Sequence, residues 1–192
     1  MRPRLILASA SPRRRQLLAE AGFEFEVDPS DVEEPPPPPG VDPALYAAEL
    51  AWRKAAAVAR RRGEGLILAA DTVGAVDGLI LNKPDDRDDA ERMIRLQEGR
   101  DSDVLTALCL FHAGRWEWAG AVETSVVRFR HLTDDERTEF LDSGRWQGKA
   151  GAYGVQDHDP FVSVVGGSFS NVVGLPLERL DALLRGTTGL TG

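Results

Sequence analysis

Four stretches of this chain combine residue types that can do chemistry on an anionic substrate. The first is Ser9-Ala10-Ser11-Pro12-Arg13-Arg14-Arg15, which joins an apolar run to a helical pattern. Open N–H groups and the dipole at a helix start favour an anion, and arginine adds bidentate phosphate contacts. Three cations at that end oppose the dipole, a local conflict that a negative ligand resolves; a solvated basic turn is the alternative. The second is Asp71, at the end of LILAA and followed by Thr72. A carboxylate at a strand end can hold a divalent cation or activate water, and it can equally form a turn. The third is Lys83-Pro84. The fourth is Lys149-Ala150-Gly151-Ala152-Tyr153-Gly154-Val155-Gln156, whose small residues let backbone and a few polar heads approach a ligand, or make a plain turn. Lys54, mid-helix among alanines in AWRKAAA, reads by itself as a solubilising residue.

Composition excludes several other chemistries. The chain has 192 residues, with 23 Lys+Arg against 31 Asp+Glu, a net charge of −8. That length is one domain by expectation, 1–192, large enough to fold around its own core. An apolar share of 42% and a charged share of 28% are those of a globular protein. A single cysteine, Cys109, permits neither an internal disulfide nor a cysteine-based zinc site, and its apolar setting predicts a buried thiol. The three histidines show no ligand spacing. No apolar run approaches the ~18 residues of a membrane span. The opening MRPRLILASASPRRR imitates a signal peptide, but its apolar centre is short and arginines follow at once, so a cytoplasmic protein is expected. The acidic balance argues against nucleic acid and leaves room for a small anion held by a local basic cluster. No P-loop, GxGxxG or GxSxG sequence occurs.

Positioning these groups falls to alternating strands and helices. RLILA (4–8) reads as a buried strand, and Ser11-Pro12 as the cap and first residue of a helix closing at Gly22. FEFEVD (23–28) alternates as a half-exposed strand with Phe23, Phe25 and Val27 inward. Pro35 to Pro39 form a polyproline stretch, read as a stiff surface connector. Asp42-Pro43 opens a helix ending at Gly63, and LILAA delivers Asp71 at a strand's C-terminal end. Asp77-Gly78 signals a hairpin. A helix follows to Gln97, then strand-like runs near 103–113 and 121–131. Thr133 to Glu136 form a capping box. After GKAGAYG come FVSVV, a glycine turn, SNVV and a last helix opened by Pro176. The class is α/β, with a mixed central sheet flanked by helices.

Taken in order, LILASASPRRRQLL, DVEE, AADTVGAVDGLILNKP, KAGAYGVQD and VVGLPL resemble the Maf (septum-inhibition) family of nucleoside triphosphate pyrophosphatases. The likeness runs from Leu5 to about Leu184. It implies two lobes around a long mixed sheet with a cleft, as in the inosine-triphosphate pyrophosphatases. It implies cleavage between the α and β phosphates with a divalent metal, Mg²⁺ or Mn²⁺. By the resemblance Asp71 is the general base and a metal contact. Glu33 and Glu34 match the acidic pair, with Glu34 as the metal carboxylate. Ser9, Ser11, Arg13 and Arg14 meet the phosphates, and Lys54, Lys83 and Lys149 complete the site. Arg13, Thr72 and Gln156 match members that prefer dTTP and UTP. A nucleoside triphosphate is then the partner, with a homodimer left open, no nucleic acid and no membrane. Asn82, Gly148 and Trp146 depart from the family pattern, and the loop from Gln156 to Pro160 is more acidic than usual. The rivals are a 7-methyl-GTP or broad nucleotide pyrophosphatase, a non-catalytic regulator of cell division, and a Rossmann-like enzyme disfavoured by the missing GxGxxG.

Overall fold

The LIL of residues 5–7 and the LIL of 66–68 lie side by side and parallel, Leu5 opposite Leu66 and Leu7 opposite Leu68. Parallel strands need a crossover, and right-handed crossovers fix which face each helix covers. The computed structural model describes residues 3–155 and 160–186. Its elements in chain order are β1 (Leu5–Leu7), α1 (Pro12–Glu20), β2 (Phe25–Val27), α2 (Pro43–Arg62), β3 (Leu66–Val76), β4 (Leu79–Leu81) and α3 (Arg87–Gln97). There follow β5 (Asp101–His112), β6 (Glu117–Phe129), α4 (Asp134–Asp142), a 3₁₀ turn (Ala150–Ala152), β7 (Val162–Gly166), α5 (Phe169–Val173) and α6 (Leu177–Gly186). The seven-stranded sheet runs β2-β1-β3-β5-β6-β7, with β4 paired to β3.

Strand order 2-1-3 means that the chain leaves β1 in one direction and returns across it in the other. The helices α1 and α2 must then cover opposite faces. The cores agree: Leu18 of α1 packs with Leu5, Leu7 and Leu68, while Ala51, Ala55 and Val58 of α2 pack with Ile67, Ala69 and Val73. A third core, around Met93, Phe129 and Phe140, fills the other half of the sheet. A cleft lies between the α2-side core and this third one, lined by Ala8, Tyr46 and Val73 from the first and by Met93, Val104 and Tyr153 from the other. It opens at the β1/β3 switch point, where ligands bind in doubly wound sheets.

Three expectations about elements are corrected. LILAA and VGAV are one strand, so Asp71 sits in the middle of β3 rather than at its end. The cause is β5, which pairs antiparallel with β3 without a break from Leu66 to Ala75. The opposite edge of β3 is paired by β1 only to Leu68 and by β4 only from Gly74, and Asp71 falls between. Second, β2 is short and lies at the sheet edge, so Phe23 is buried outside the strand and Val27 stays 39% exposed. Third, β6 begins at Glu117, four residues before expectation, because the turn after His112 is tight. SNVV, which the sequence pattern assigns to no element, belongs to helix α5, capped by Ser168.

Candidate active site

Side chains alternate across a strand, so neighbours in β3 serve opposite faces. Asp71 shares its face with Ala69 and Val73, toward α2. Thr72 shares the other with Leu68 and Ala70, toward α1. On α2 the buried positions Ala47, Leu50, Ala51, Lys54, Ala55 and Val58 follow helical spacing, and Lys54 is in phase with them. The lysine is therefore a buried residue, 7% exposed, and the solubilising reading is corrected. Alanines around it bring the helix axis close to the sheet. Lys54 Nζ lies 2.5 Å from Asp71 Oδ1 and 2.6 Å from Glu34 Oε1. Asp71 is itself only 5% exposed. Buried charges persist where they are paired and hydrogen-bonded, and one ammonium between two carboxylates meets that condition.

The turn from β1 to α1 forms the opposite wall. Ser11 caps α1, its Oγ accepting from Arg14 N, and Pro12 holds the first helical position. Ser9 Oγ accepts from Ser11 N and from Arg14 Nη1. Arg14 also donates from Nη2 to Thr72 Oγ1 at 3.1 Å and from Nε to the Gly174 carbonyl at 2.8 Å. The guanidinium thus joins the first turn of α1 to β3 and to the end of α5. Gly174 has φ +118, and a Cβ there would stand 3.4 Å from Thr72 Oγ1 and 3.7 Å from Arg14 Nε. Burial pulls the Arg14 pKa down, and Arg13 adds to this while Asp71 and Glu34 oppose it. Burial pulls Arg13 down as well. Among the described residues no hydrogen bond or ion pair engages the Arg13 side chain, so its donors are available to a ligand.

Glu34 arrives on the strap that precedes α2. Burial alone would raise its pKa. Hydrogen bonding and charge from Lys54, and then from Lys83, outweigh that and bring it below the usual carboxylate range. Lys83 Nζ lies 3.4 Å from Glu34 Oε2 and its side chain is 59% exposed. Lys149 precedes the 3₁₀ turn. Gly151 N in that turn donates to the Asn82 carbonyl, and Gly151 O accepts from buried Gln97 Nε2 at 2.8 Å. Gly151 has φ +70, and a Cβ would press within 3.1 Å of the Tyr153 ring. Glu34, Lys54, Asp71, Lys83 and Lys149 line one cleft of about 960 Å³, within the size range of small-molecule sites.

Of the residues singled out in the sequence, Ser9, Ser11, Arg13, Arg14, Glu34 and Lys54 border this cleft, as do Asp71, Thr72, Lys83 and Lys149. Gln156 lies outside the described residues. Pro36 and Pro37 also border the cleft, so the proline run forms part of its wall besides connecting β2 to α2. Sequence reasoning missed Tyr46, whose hydroxyl donates to the Pro35 carbonyl at 2.8 Å, and Thr106, whose Oγ1 lies 2.9 Å from Thr72 Oγ1. It also missed Gln97. The signal was present there: Gln97 continues the spacing of Ala90, Met93 and Ile94, and a polar residue on a buried helix face needs a partner.

Two carboxylates, Asp71 and Glu34, converge on a single cation, the Lys54 ammonium. Among the described residues no group of three or more His, Cys, Asp or Glu side chains gathers to hold a metal. Two carboxylates suit an ion that completes its shell with water and substrate phosphates, as Mg²⁺ does.

A family model described as Maf-like protein matches residues 4–187. A dTTP/UTP pyrophosphatase from Rhodopirellula baltica is 50% identical over 182 residues, which is 94% of this chain and 80% of that protein. A protein of the same name from Bdellovibrio bacteriovorus is 42% identical over 190 residues, covering 96% and 98%. Another, from Thermococcus onnurineus, is 45% identical over 175 residues, covering 91% and 92%. The structure of a HAM1 protein from Coxiella burnetii aligns with a TM-score of 0.52 at 16% identity, covering 97% of this chain and all of that one. That likeness is one of fold.

Proposed function

Because this chain belongs to the Maf family, we propose that it is a nucleoside triphosphate pyrophosphatase. It hydrolyses dTTP and UTP to the monophosphate and pyrophosphate in a house-cleaning role, and the whole chain, 1–192, is one such domain. The relatives' names support this reading. The observation that carries it is the buried Lys54 ammonium held between Asp71 and Glu34, across a cleft from the Arg13-bearing helix start.

The triphosphate binds with its phosphates on the first turn of α1, where the helix N-terminus and Arg13 meet them. Ser9 and Ser11 shape that turn, and Arg14 ties it to β3. Lys83 and Lys149 face the chain of phosphates from the other lobe. Asp71 accepts a proton from the attacking water as its oxygen bonds to the α phosphorus. The bond from that phosphorus to the bridging oxygen breaks, and pyrophosphate leaves. Lys54 holds the Asp71 carboxylate in place. Charge on the equatorial and leaving oxygens is met by fixed cations already in position, which supplies most of the catalysis. A divalent cation, Mg²⁺ with Mn²⁺ as substitute, would be held by Asp71 and Glu34 and would neutralise phosphate charge.

Base preference rests on Gln156, with Arg13 and Thr72 on the other wall. An amide donates to a carbonyl and accepts from an N–H at once. Uracil and thymine offer that pair, and cytosine does not. Among the described residues no helix is long and apolar enough to cross a membrane, in keeping with a cytoplasmic enzyme that acts on free nucleotides.

A panel of triphosphates with Mg²⁺ and a pyrophosphate readout tests the proposal. The expected order is dTTP and UTP first, CTP weaker, ATP and GTP poor. A faster rate with 7-methyl-GTP than with UTP contradicts the base preference alone. Nucleotide binding without turnover of any triphosphate contradicts the enzyme and favours a regulator.

A further inference from the structure

Lys83 and Lys149 come from segments far apart in sequence, and one glycine joins their backbones. Gly151, in the turn after Lys149, donates its N–H at 3.1 Å to the carbonyl of Asn82, the residue before Lys83. Its own carbonyl accepts at 2.8 Å from Nε2 of Gln97, the last residue of α3. The other amide proton of Gln97 goes to the Met93 carbonyl of the same helix, at 3.0 Å. The turn closes on itself through Ala152 N and the Lys149 carbonyl. It also lies against β3, where a Cβ on Gly74 would stand 3.8 Å from Gly151 Cα. Gly74, Asn82, Lys83 and Lys149 border the cleft, and Gln97, 0% exposed, is buried behind that wall.

We infer that Gln97 is a positioning residue: through Gly151 it holds the turn that carries Lys149 in register with the segment after β4 that carries Lys83. Both partners of its amide are carbonyls, so the side chain sits one way only, with its NH₂ toward them. Among the described residues its Oε1 is then buried with no partner. An unpaired buried acceptor is a cost that leucine at this core position would avoid, so what the amide contributes is its donors. Two ammonium groups repel one another, and uncharged contacts behind them must therefore supply their spacing. Cations spaced in advance need no rearrangement when a chain of phosphates arrives. The inference rests on the pyrophosphatase reading for its consequence and on the hydrogen bonds for its geometry.

Gln97→Leu keeps an apolar side chain of similar reach and removes the donors. Binding of pyrophosphate and of UMP, each with Mg²⁺, is measured by calorimetry on the full chain. The proteins compared are the wild type, Gln97→Leu, Lys149→Ala and the double variant. Gln97→Leu should weaken pyrophosphate about three- to tenfold, the usual worth of one hydrogen bond, and leave UMP within about twofold. A loss that was merely structural would fall on both ligands alike. In the Lys149→Ala background the leucine should cause no further loss, because the cation it positions is gone. Amide hydrogen exchange supplies a second readout. The Gly151 amide of the wild type should exchange at least about tenfold slower than an unstructured one and lose that protection in Gln97→Leu. Unchanged pyrophosphate binding, equal losses for pyrophosphate and UMP, or fully additive losses in the double variant overturn the inference. If the leucine variant does not fold, Gln97→Met takes its place, and a wild-type Gly151 amide without protection still overturns the inference. If the wild type cleaves no triphosphate, the pyrophosphatase reading fails instead, and exchange at Gly151 alone decides the role of Gln97.

Discussion

The Lys54 ammonium stands 2.5 Å from the Asp71 carboxylate with both side chains buried, and the same nitrogen reaches Glu34 at 2.6 Å. The lysine thus holds two carboxylates at one point. Lys54→Met keeps the volume and removes the charge. It leaves Asp71 buried without its cation, and breaking such a pair costs about 3–5 kcal/mol. The thermal midpoint should fall in the presence of a chelator and partly recover in millimolar Mg²⁺, because a divalent ion replaces the lost charge. Turnover should drop at least about a hundredfold. A variant with wild-type midpoint in chelator would show that the pair is not the buried charge contact described.

The two neighbouring arginines divide their work. Arg14 spends donors on Ser9, Thr72 and Gly174, while Arg13 keeps its own for a ligand. Arg14→Lys cannot reproduce the fork and should cost about 1–3 kcal/mol of stability by chemical denaturation. Arg13→Lys should leave stability within about 0.5 kcal/mol and raise KM for UTP. Equal destabilisation by both would contradict the division.

The acid limb of stability carries the sign of Glu34. Its pKa is lowered in the fold by Lys54 and Lys83 against the opposing effect of burial. A group whose folded pKa is depressed contributes stability that is present above its unfolded pKa and lost as pH falls through the folded value. The difference in thermal midpoint between wild type and Glu34→Gln should be constant above about pH 5 and shrink below it. A difference that grows on acidification would reverse the assignment.

Cys109 is buried in β5, and burial pushes its thiol up to about 12. Alkylating reagents need the thiolate. The native protein should resist iodoacetamide at pH 8 and label fully in denaturant. Rapid native labelling would mean that β5 opens locally.

Much of this site could be read before its geometry was known, and what could not has physical causes. The cap Ser11-Pro12, the capping box at Thr133 and the Asp77-Gly78 hairpin are set by neighbours in sequence, so local chemistry revealed them. The sequence shows Asp71 but not its place in mid-strand, because the continuation of β3 past it depends on pairing with β5, where its partner is Ala107. Lys54 looked solvated because its face is defined only once α2 meets the sheet. The Arg14 fork needs the Gly174 carbonyl from the far end of the chain, and no local pattern announces it. Tyr46 was hidden for the same reason: a tyrosine on an apolar helix face reads as core until its hydroxyl is seen to reach the strap.

In the proposed reaction water attacks the α phosphorus with Asp71 as base. Hydrolysis of UTP in water enriched in oxygen-18, with Mg²⁺ and products resolved by phosphorus NMR, tests it most directly. UMP and pyrophosphate are expected, with the label in UMP alone, and Asp71→Asn should lose turnover by about 10²–10⁴-fold. Label in the pyrophosphate, release of UDP and phosphate, or an Asp71→Asn enzyme that keeps more than about a tenth of the rate would contradict it.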